Sequence, residues 1–428
     1  MIRLRAEWVV PVSGAPIADG TVVVDGRHIV AVGPSGAIAD VYEGVPERDL
    51  GAVALTPGFV DAHCHVEWSL SPHAGPCTDG FAAWLERILR RGSAMQPNDF
   101  LVSARSGVAS ALCAGTTLIL DAGPTGAGAP AADELGLRAH VHLEAFGRVS
   151  DEEAAAQVAQ FAPRVCALDA DRVRGGVSPH APYTVDPALW RALADHPDLR
   201  HRPWMTHVAE SEQERAAIAG DGGPLTAFFD TRGSRPGIWP GTGSVIARLA
   251  ANGALRPGLV AAHCVVLDDG DRELLRAHGV GVAHCPVSNA DLGVGTHDLA
   301  ATRREGVAVG FGSDSPATAG RYDVRAIAQA SADDDPNARL WLATMGGAQV
   351  AGRSHELGTL APGRLADLVA IAVAPGTRDP VAALMDPAAP VVMTMVDGET
   401  VVRDGGLVHG DMAAIRAEAA TVVQRIGA

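Results

Sequence analysis

Two histidines flank a cysteine in DAHCHVEWSL, residues 61–70, with Glu67 and Trp68 directly behind them. On an extended strand, residues two apart point the same way, so His63 and His65 present their imidazoles together while Cys64 faces the other side. Such a pair begins a nitrogen-rich metal site, or it is two hydrogen-bonded residues at the end of a strand. Further along, one apolar run after another ends on a polar residue. His180 ends VRGGVSPH, His207 and Glu210 end PWMTHVAE, and His263, His284 and Asp314 stand at the ends of GLVAAHC, GVGVAHC and VAVGFGSDS. If these ends share one rim, His63, His65, His207 and Asp314 form a nitrogen/oxygen set suited to zinc or ferrous iron. Taken singly, His142 and His284 read better as hydrogen-bonded structural residues. Cys64 and Cys264 read as core packing.

The elements that must position these side chains alternate along the chain. Apolar segments at 58–63, 116–123, 137–147, 173–180, 203–210, 258–264, 279–285 and 307–315 are strand candidates. Between them lie stretches of helical period, such as DEEAAAQVAQFAPRVCALDA and DPALWRALADHP. In the second, Asp186 is the expected N-cap and Pro187 the first helical residue. This alternation predicts parallel β/α units. Eight of them over roughly 250–300 residues fit a (β/α)8 TIM-type barrel, whose chemistry is built at the C-terminal strand ends. Residues 1–55 and 352–410 read instead as short strands and turns, with Asp-Gly pairs at 25–26 and 397–398. The expected organisation is a barrel over 56–351 beside a small composite β-sandwich made from both termini, with an Ala-rich helix over 411–428.

Composition narrows the partners. The chain of 428 residues carries a formal charge of −16, and all 34 of its cationic side chains are arginine. An acidic chain without a basic run is a poor match for a nucleic acid or an anionic membrane. It has no apolar run of membrane-spanning length and no signal-type segment at its start. Its six cysteines are scattered without CxxC pairs, as in reduced proteins. A cytoplasmic protein acting on a small molecule is expected, with a homodimer left open.

TPGFVDAHCH, SPHAPYTV, THVAES, HCVVLDDGD, AHCPVSNADLG, GFGSDSPA and LGTLAPGRLADLVAI follow one another in the order found in a known family. With these motifs the chain resembles the amidohydrolase superfamily, in its cytosine deaminase/chlorohydrolase-like branch. The resemblance implies one divalent metal, zinc or iron, held by His63, His65, His207 and Asp314. It further implies Glu210 as proton shuttle, His263 steadying the attacking hydroxide, and His180 binding substrate. Asp314 would both ligate the metal and take the water proton. Branches that bridge two metals with a carboxylated lysine are excluded, because the chain has no lysine.

HCHVEWS and THVAESEQE…PLTAFFDTRG are similar to aminodeoxyfutalosine deaminases of the futalosine route to menaquinone. That likeness implies Glu67 on a ribose hydroxyl or the purine and Trp68 stacking on the substrate or walling the pocket, with Arg148 meeting a substrate carboxylate. The leading expectation is hydrolytic deamination of an aminopurine nucleoside, with 6-aminodeoxyfutalosine first and adenosine, methylthioadenosine or S-adenosylhomocysteine as neighbours. The rivals are a chlorohydrolase or free-base aminohydrolase on the same scaffold, and a non-catalytic scaffold protein. Metal analysis separates the last from the enzymes.

Overall fold

The computed structural model describes residues 1–71, 77–318 and 321–427. Eight parallel strands pair in sequence order. They are β1 (Phe59–Cys64), β2 (Thr116–Gly123), β3 (Arg138–Ala145), β4 (Val173–Pro179), β5 (Trp204–Val208), β6 (Leu259–His263), β7 (Gly281–His284) and β8 (Val309–Phe311). Each lies within, or within a residue of, one of the eight segments expected from the sequence. The two edges nearly close through a bridge between Cys64 and Asp314. There the Asp314 N–H donates to the His63 carbonyl and the His65 N–H to the Asp314 carbonyl, both at 2.9 Å. The seam of the barrel therefore runs through the backbones of three expected metal-binding residues.

Leu118 and Leu120 of β2, Met205 of β5, Val260 of β6 and Ala283 of β7 share one buried cluster across the barrel. Strands buried on both faces read as continuous apolar runs, which is why their sequences stand out without alternation. The pairing of β1 with β2 shifts register between Asp61 and Cys64, an irregularity of the kind that re-aims side chains at a barrel rim. Cys64 is buried beside Ala104 and Val108 of the helix Pro97–Cys113, away from the histidines.

Both termini build the second layer, a single sheet of nine strands. The halves join where Val53–Pro57 pairs antiparallel with Leu368–Ala372. Leu4, Val22, Ile29 and Leu55 from one end share a core with Leu368 and Met393 from the other. Asp397 and Gly398 both take positive φ, 53° and 76°, as a two-residue hairpin between antiparallel strands requires. The last helix, Met412–Ile426, packs Ala419 and Val422 against Leu70 and Val102. Among the described residues no helix is long and apolar enough to cross a membrane. Asp186 stands at the N-cap before Pro187 as expected, but its side chain makes no cap bond. Its carboxylate is taken instead by Arg235 at 3.0 Å.

Arg138, buried at the start of β3, ties the barrel to the sheet. Its guanidinium donates to both Asp367 oxygens at 3.0 and 3.1 Å and also to Asp397. Removing it leaves the buried Asp367 carboxylate without its cation, while Asp397 keeps Arg27 at 2.7 Å, so Arg138→Met is expected to cost about 3–5 kcal/mol of stability in denaturant unfolding. Burial works to raise the Asp397 pKa, but Arg138 and Arg27 outweigh it and hold the carboxyl below its ordinary value. A depressed carboxyl contributes stability above its unfolded pKa, near 4, and loses it as pH falls through the folded value. The gap between wild type and variant should accordingly narrow below about pH 4.

Candidate active site

At the C-terminal strand ends lies a cavity of about 750 Å³. His65, Glu144, His180, His207, Glu210, His263 and Asp314 line its floor, and Trp68 and Arg148 stand in its walls. Helices α1 (Phe81–Ala94) and α2 (Pro224–Asp230) contribute Phe81, Trp84, Leu85, Phe228 and Phe229 to the upper walls. The chain is poor in aromatics, yet eight of its eighteen line this one space. The result is an apolar vault over a polar floor, the usual build of a small-molecule site.

The floor is organised around bare nitrogens. The Nδ1 atoms of His65 and His207 donate to the carbonyls of Ala122 and His180, each at 2.8 Å. Burial pushes both rings toward the neutral form, so each Nε2 carries a lone pair. These two Nε2 atoms face each other at 3.0 Å. Two lone pairs cannot bond one another, so the contact calls for a bound cation or a proton shared between the rings. His63 repeats the pattern: its Nδ1 meets the Met205 sulfur at 3.1 Å, while its buried Nε2 has no partner. Asp314 completes the set. The hydroxyls of Ser288 and Thr318 hold its Oδ2, while its Oδ1 lies 3.7 Å from His63 Nε2 and 3.5 Å from His65 Nε2. Orphaned imidazole nitrogens plus one free carboxylate oxygen fit a divalent metal ion.

The backbone records the cost of this arrangement. Eight non-glycine residues among those described have positive φ, and Ala209, His263, Cys264 and Asp314 are four of them. Each such conformation costs of order 1–3 kcal/mol, and such outliers gather at sites whose side chains must be aimed.

Glu210 lies just ahead of the helix Glu212–Ala219, whose N-cap is Ser211. It is buried rather than solvated. Its Oε1 is 3.7 Å from His263 Nε2, and its backbone N–H is held by the Glu214 carboxylate at 2.8 Å. Burial raises the Glu210 pKa, with His263 opposing and Asp314 reinforcing. His263 is steadied by Asn289 at 3.0 Å from Nδ1, which leaves Nε2 for the cavity.

A model of the amidohydrolase family matches residues 54–401. The chain belongs to that family. It is 31% identical over 412 residues to the 5-methylthioadenosine/S-adenosylhomocysteine deaminase of Symbiobacterium thermophilum, covering 90% of this chain and 89% of that protein. Its fold matches the zinc-bound adenosine deaminase of Xanthomonas campestris at a TM-score of 0.83, with 25% identity, over 100% of this chain and 98% of the other. The aminofutalosine deaminase of Helicobacter pylori, bound to methylthio-coformycin, shares the fold at 0.81 with 20% identity, over 94% of this chain and 100% of that one. This amidohydrolase is therefore an enzyme of the aminohydrolase kind.

One expectation for this amidohydrolase is overturned. Glu67 does not reach the cavity: it is 0% exposed, and its carboxylate accepts the backbone N–H groups of Thr125, Gly126 and Ala127 at 3.1, 2.6 and 2.8 Å. It is drawn there because that loop, leading into the helix Gly128–Leu135, has N–H groups to satisfy. Gly123 leaves room for it, since a Cβ there would come within 2.7 Å of the Glu67 Cδ. Glu67→Ala is expected to lower stability by about 2–4 kcal/mol through the orphaned N–H groups, with KM little changed.

Trp68 does wall the cavity, edge-on to Phe100 with centroids 5.9 Å apart. Arg148 also borders it, over the Phe229 ring at 4.8 Å and bonded to the Ser234 hydroxyl at 2.6 Å. His180 packs against the Phe146 ring at 4.7 Å and bonds Thr184 at 2.9 Å. His142 points away from the cavity and bonds the Asp121 carbonyl at 2.9 Å.

The residue that sequence reasoning missed is Glu144. It is 7% exposed on the cavity floor, and burial pushes its carboxyl up to about 8, helped by Glu67 and Asp314. The signal was present in HVHLEAF, where His142 and Glu144 stand two apart at the end of a strand.

Proposed function

We propose that this amidohydrolase removes ammonia from an aminopurine nucleoside, with zinc held by His63, His65, His207 and Asp314. The observation that carries the reading is the set of unpartnered Nε2 atoms beside the buried Glu210–His263 pair, beneath an aromatic vault. Zinc, when bound, acidifies a water so that it is nucleophilic at neutral pH.

The chain's own groups do the rest. Asp314 Oδ1, free of the hydroxyls that hold Oδ2, is placed to receive a proton. Glu210, whose acid form burial favours, is placed beside the pocket to pass a proton to a ring nitrogen of the base. Protonation makes the adjacent amino-bearing carbon electrophilic. Water adds there, and the amino group leaves as ammonia. His263 Nε2, 3.7 Å from Glu210, lies where charge changes during that step. The aromatic walls take the flat base and exclude water.

Among nucleosides, the relatives named for 5′-methylthioadenosine and S-adenosylhomocysteine support those two substrates. The wide apolar vault with Arg148 in its wall also suits a 5′-substituent that is bulky and ends in a carboxylate, such as that of 6-aminodeoxyfutalosine. The test is ammonia release and ultraviolet change across adenosine, 5′-methylthioadenosine, S-adenosylhomocysteine, 6-aminodeoxyfutalosine, guanine and a chlorotriazine. Turnover confined to the free base or the triazine would sink the nucleoside reading.

A further inference from the structure

We propose that the opposite end of the barrel holds a site for a small oxoanion that keeps one hydroxyl, hydrogen phosphate or bicarbonate. A second cavity, of about 550 Å³, opens among the N-terminal strand ends, where Arg138, His140 and His142 of β3 line it. It shares no lining residue with the catalytic cavity, so the inference stands apart from the nucleoside reading. The chain is acidic, yet six of its arginines face this one space against two aspartates.

His142 is the residue that asks for a ligand. Its Nδ1 donates to the Asp121 carbonyl at 2.9 Å, and its buried Nε2 has no partner among the described residues. Burial takes its pKa down to about 4, so the ring is neutral and Nε2 presents a lone pair. A buried lone pair without a donor is costly. The ring has room only because residue 176 is glycine, where a Cβ would come within 2.6 Å of the His142 Cδ2.

The surroundings fix the charge of the ligand. Burial depresses the pKa of the neighbouring His140, and His142, Arg353, Arg138 and Arg174 push it the same way. A metal ion on the His142 nitrogen would meet those same cations, which an anion would welcome. Some of the arginines are already engaged. Arg27, Arg138 and Arg172 converge on Asp397, and Arg202 holds Asp169 through two N–H groups at 2.9 and 3.1 Å. Arg174 and Arg353 are not used up. Arg174 gives one N–H to Asp169 at 2.9 Å, and Arg353 gives its Nε–H to Glu356. A guanidinium carries five N–H donors, and among the described residues no acceptor takes the others of these two. An oxoanion supplies acceptors for them, and a hydroxyl on the same ion supplies the donor that His142 lacks. Sulfate and phosphate-ester dianions offer acceptors alone.

Calorimetric titration of the zinc-loaded protein with phosphate, bicarbonate, sulfate and methyl phosphate tests this without touching the buried ring. At about pH 8, above the second pKa of a phosphate ester, hydrogen phosphate keeps a hydroxyl that methyl phosphate has lost. At least one of the two hydroxyl-bearing anions is expected to bind about 10–100-fold more tightly than sulfate or methyl phosphate. The tighter of the two identifies the ligand. Arg174→Gln and Arg353→Gln, both outside the catalytic cavity, should each weaken that binding by about 10-fold at unchanged turnover and zinc content.

Sulfate or methyl phosphate bound equally well would show that His142 needs no donor, and would overturn the proposal. Binding that survives in both arginine variants also overturns it, because the anion then sits elsewhere, the zinc included. Neither heat nor a rise in Tm with phosphate or bicarbonate at tens of millimolar overturns it outright.

Discussion

Glu210→Gln is expected to lower kcat by roughly 10²–10⁴-fold while the purified protein keeps its full complement of metal. The reasoning is geometric. Glu210 lies three residues beyond His207, on the far side of a positive-φ turn at Ala209, so its carboxyl is aimed separately from the ligand imidazole. Among the described residues no hydrogen bond or ion pair joins its carboxyl to Asp314, His65 or His207, and its Oε1 faces His263 Nε2 at 3.7 Å. The amide keeps the size and hydrogen-bonding reach of the acid but cannot carry a proton. Binding should survive and transfer should not, so the loss falls on kcat with KM near its wild-type value. Parallel loss of metal and turnover would falsify the shuttle role and make Glu210 a ligand or a scaffold for one.

The architecture was legible because each signal had a single physical cause. Parallel strands covered on both sides must be apolar throughout, so the eight segments read as uninterrupted runs ending in polar residues. Asp-Gly at 397–398 could mean little but a tight hairpin. The rim residues were legible for the same reason, since a histidine after a buried strand has few places to go.

What stayed hidden depended on which way a side chain turned after leaving its strand. Glu67 follows the His63–His65 pair, and nothing in VEW says that it bends back to satisfy three N–H groups near Gly126. Asp186 occupies a capping position, but Arg235, remote in sequence, takes its carboxylate. Glu144 was passed over because His142, two residues before it, reads as a hydrogen-bonded structural residue and drew no attention to the strand end. The composite β layer from both termini was expected, but not that one strand, Val53–Pro57, would join its two halves. These are contacts between distant segments, and local pattern does not encode them.

The largest effect of all should come from removing the metal itself. Dialysis against a chelator is expected to abolish turnover, and close to one equivalent of zinc should restore it. A second readout needs no substrate. The imidazoles of His63, His65 and His207 are buried with lone pairs turned inward, and the contact between His65 and His207 is repulsive without a cation or a shared proton. Metal binds this folded arrangement and has no matching site in the unfolded chain, so saturating zinc at about 1,000 times its Kd should add about 4 kcal/mol to stability. His207→Ala takes away one of the facing nitrogens, together with the ring that packs between His65 and His180. That variant should bind zinc far more weakly and lose most of the zinc-dependent rise in Tm, whatever its own baseline. The stoichiometry is equally informative. His65, Glu144 and His207 also lie close enough to share an ion, but a second cation there would compete for imidazole lone pairs already committed to the first. A measured ratio near two would make Glu144 a candidate ligand, and equally His263, which forms a third such group with His63 and His207.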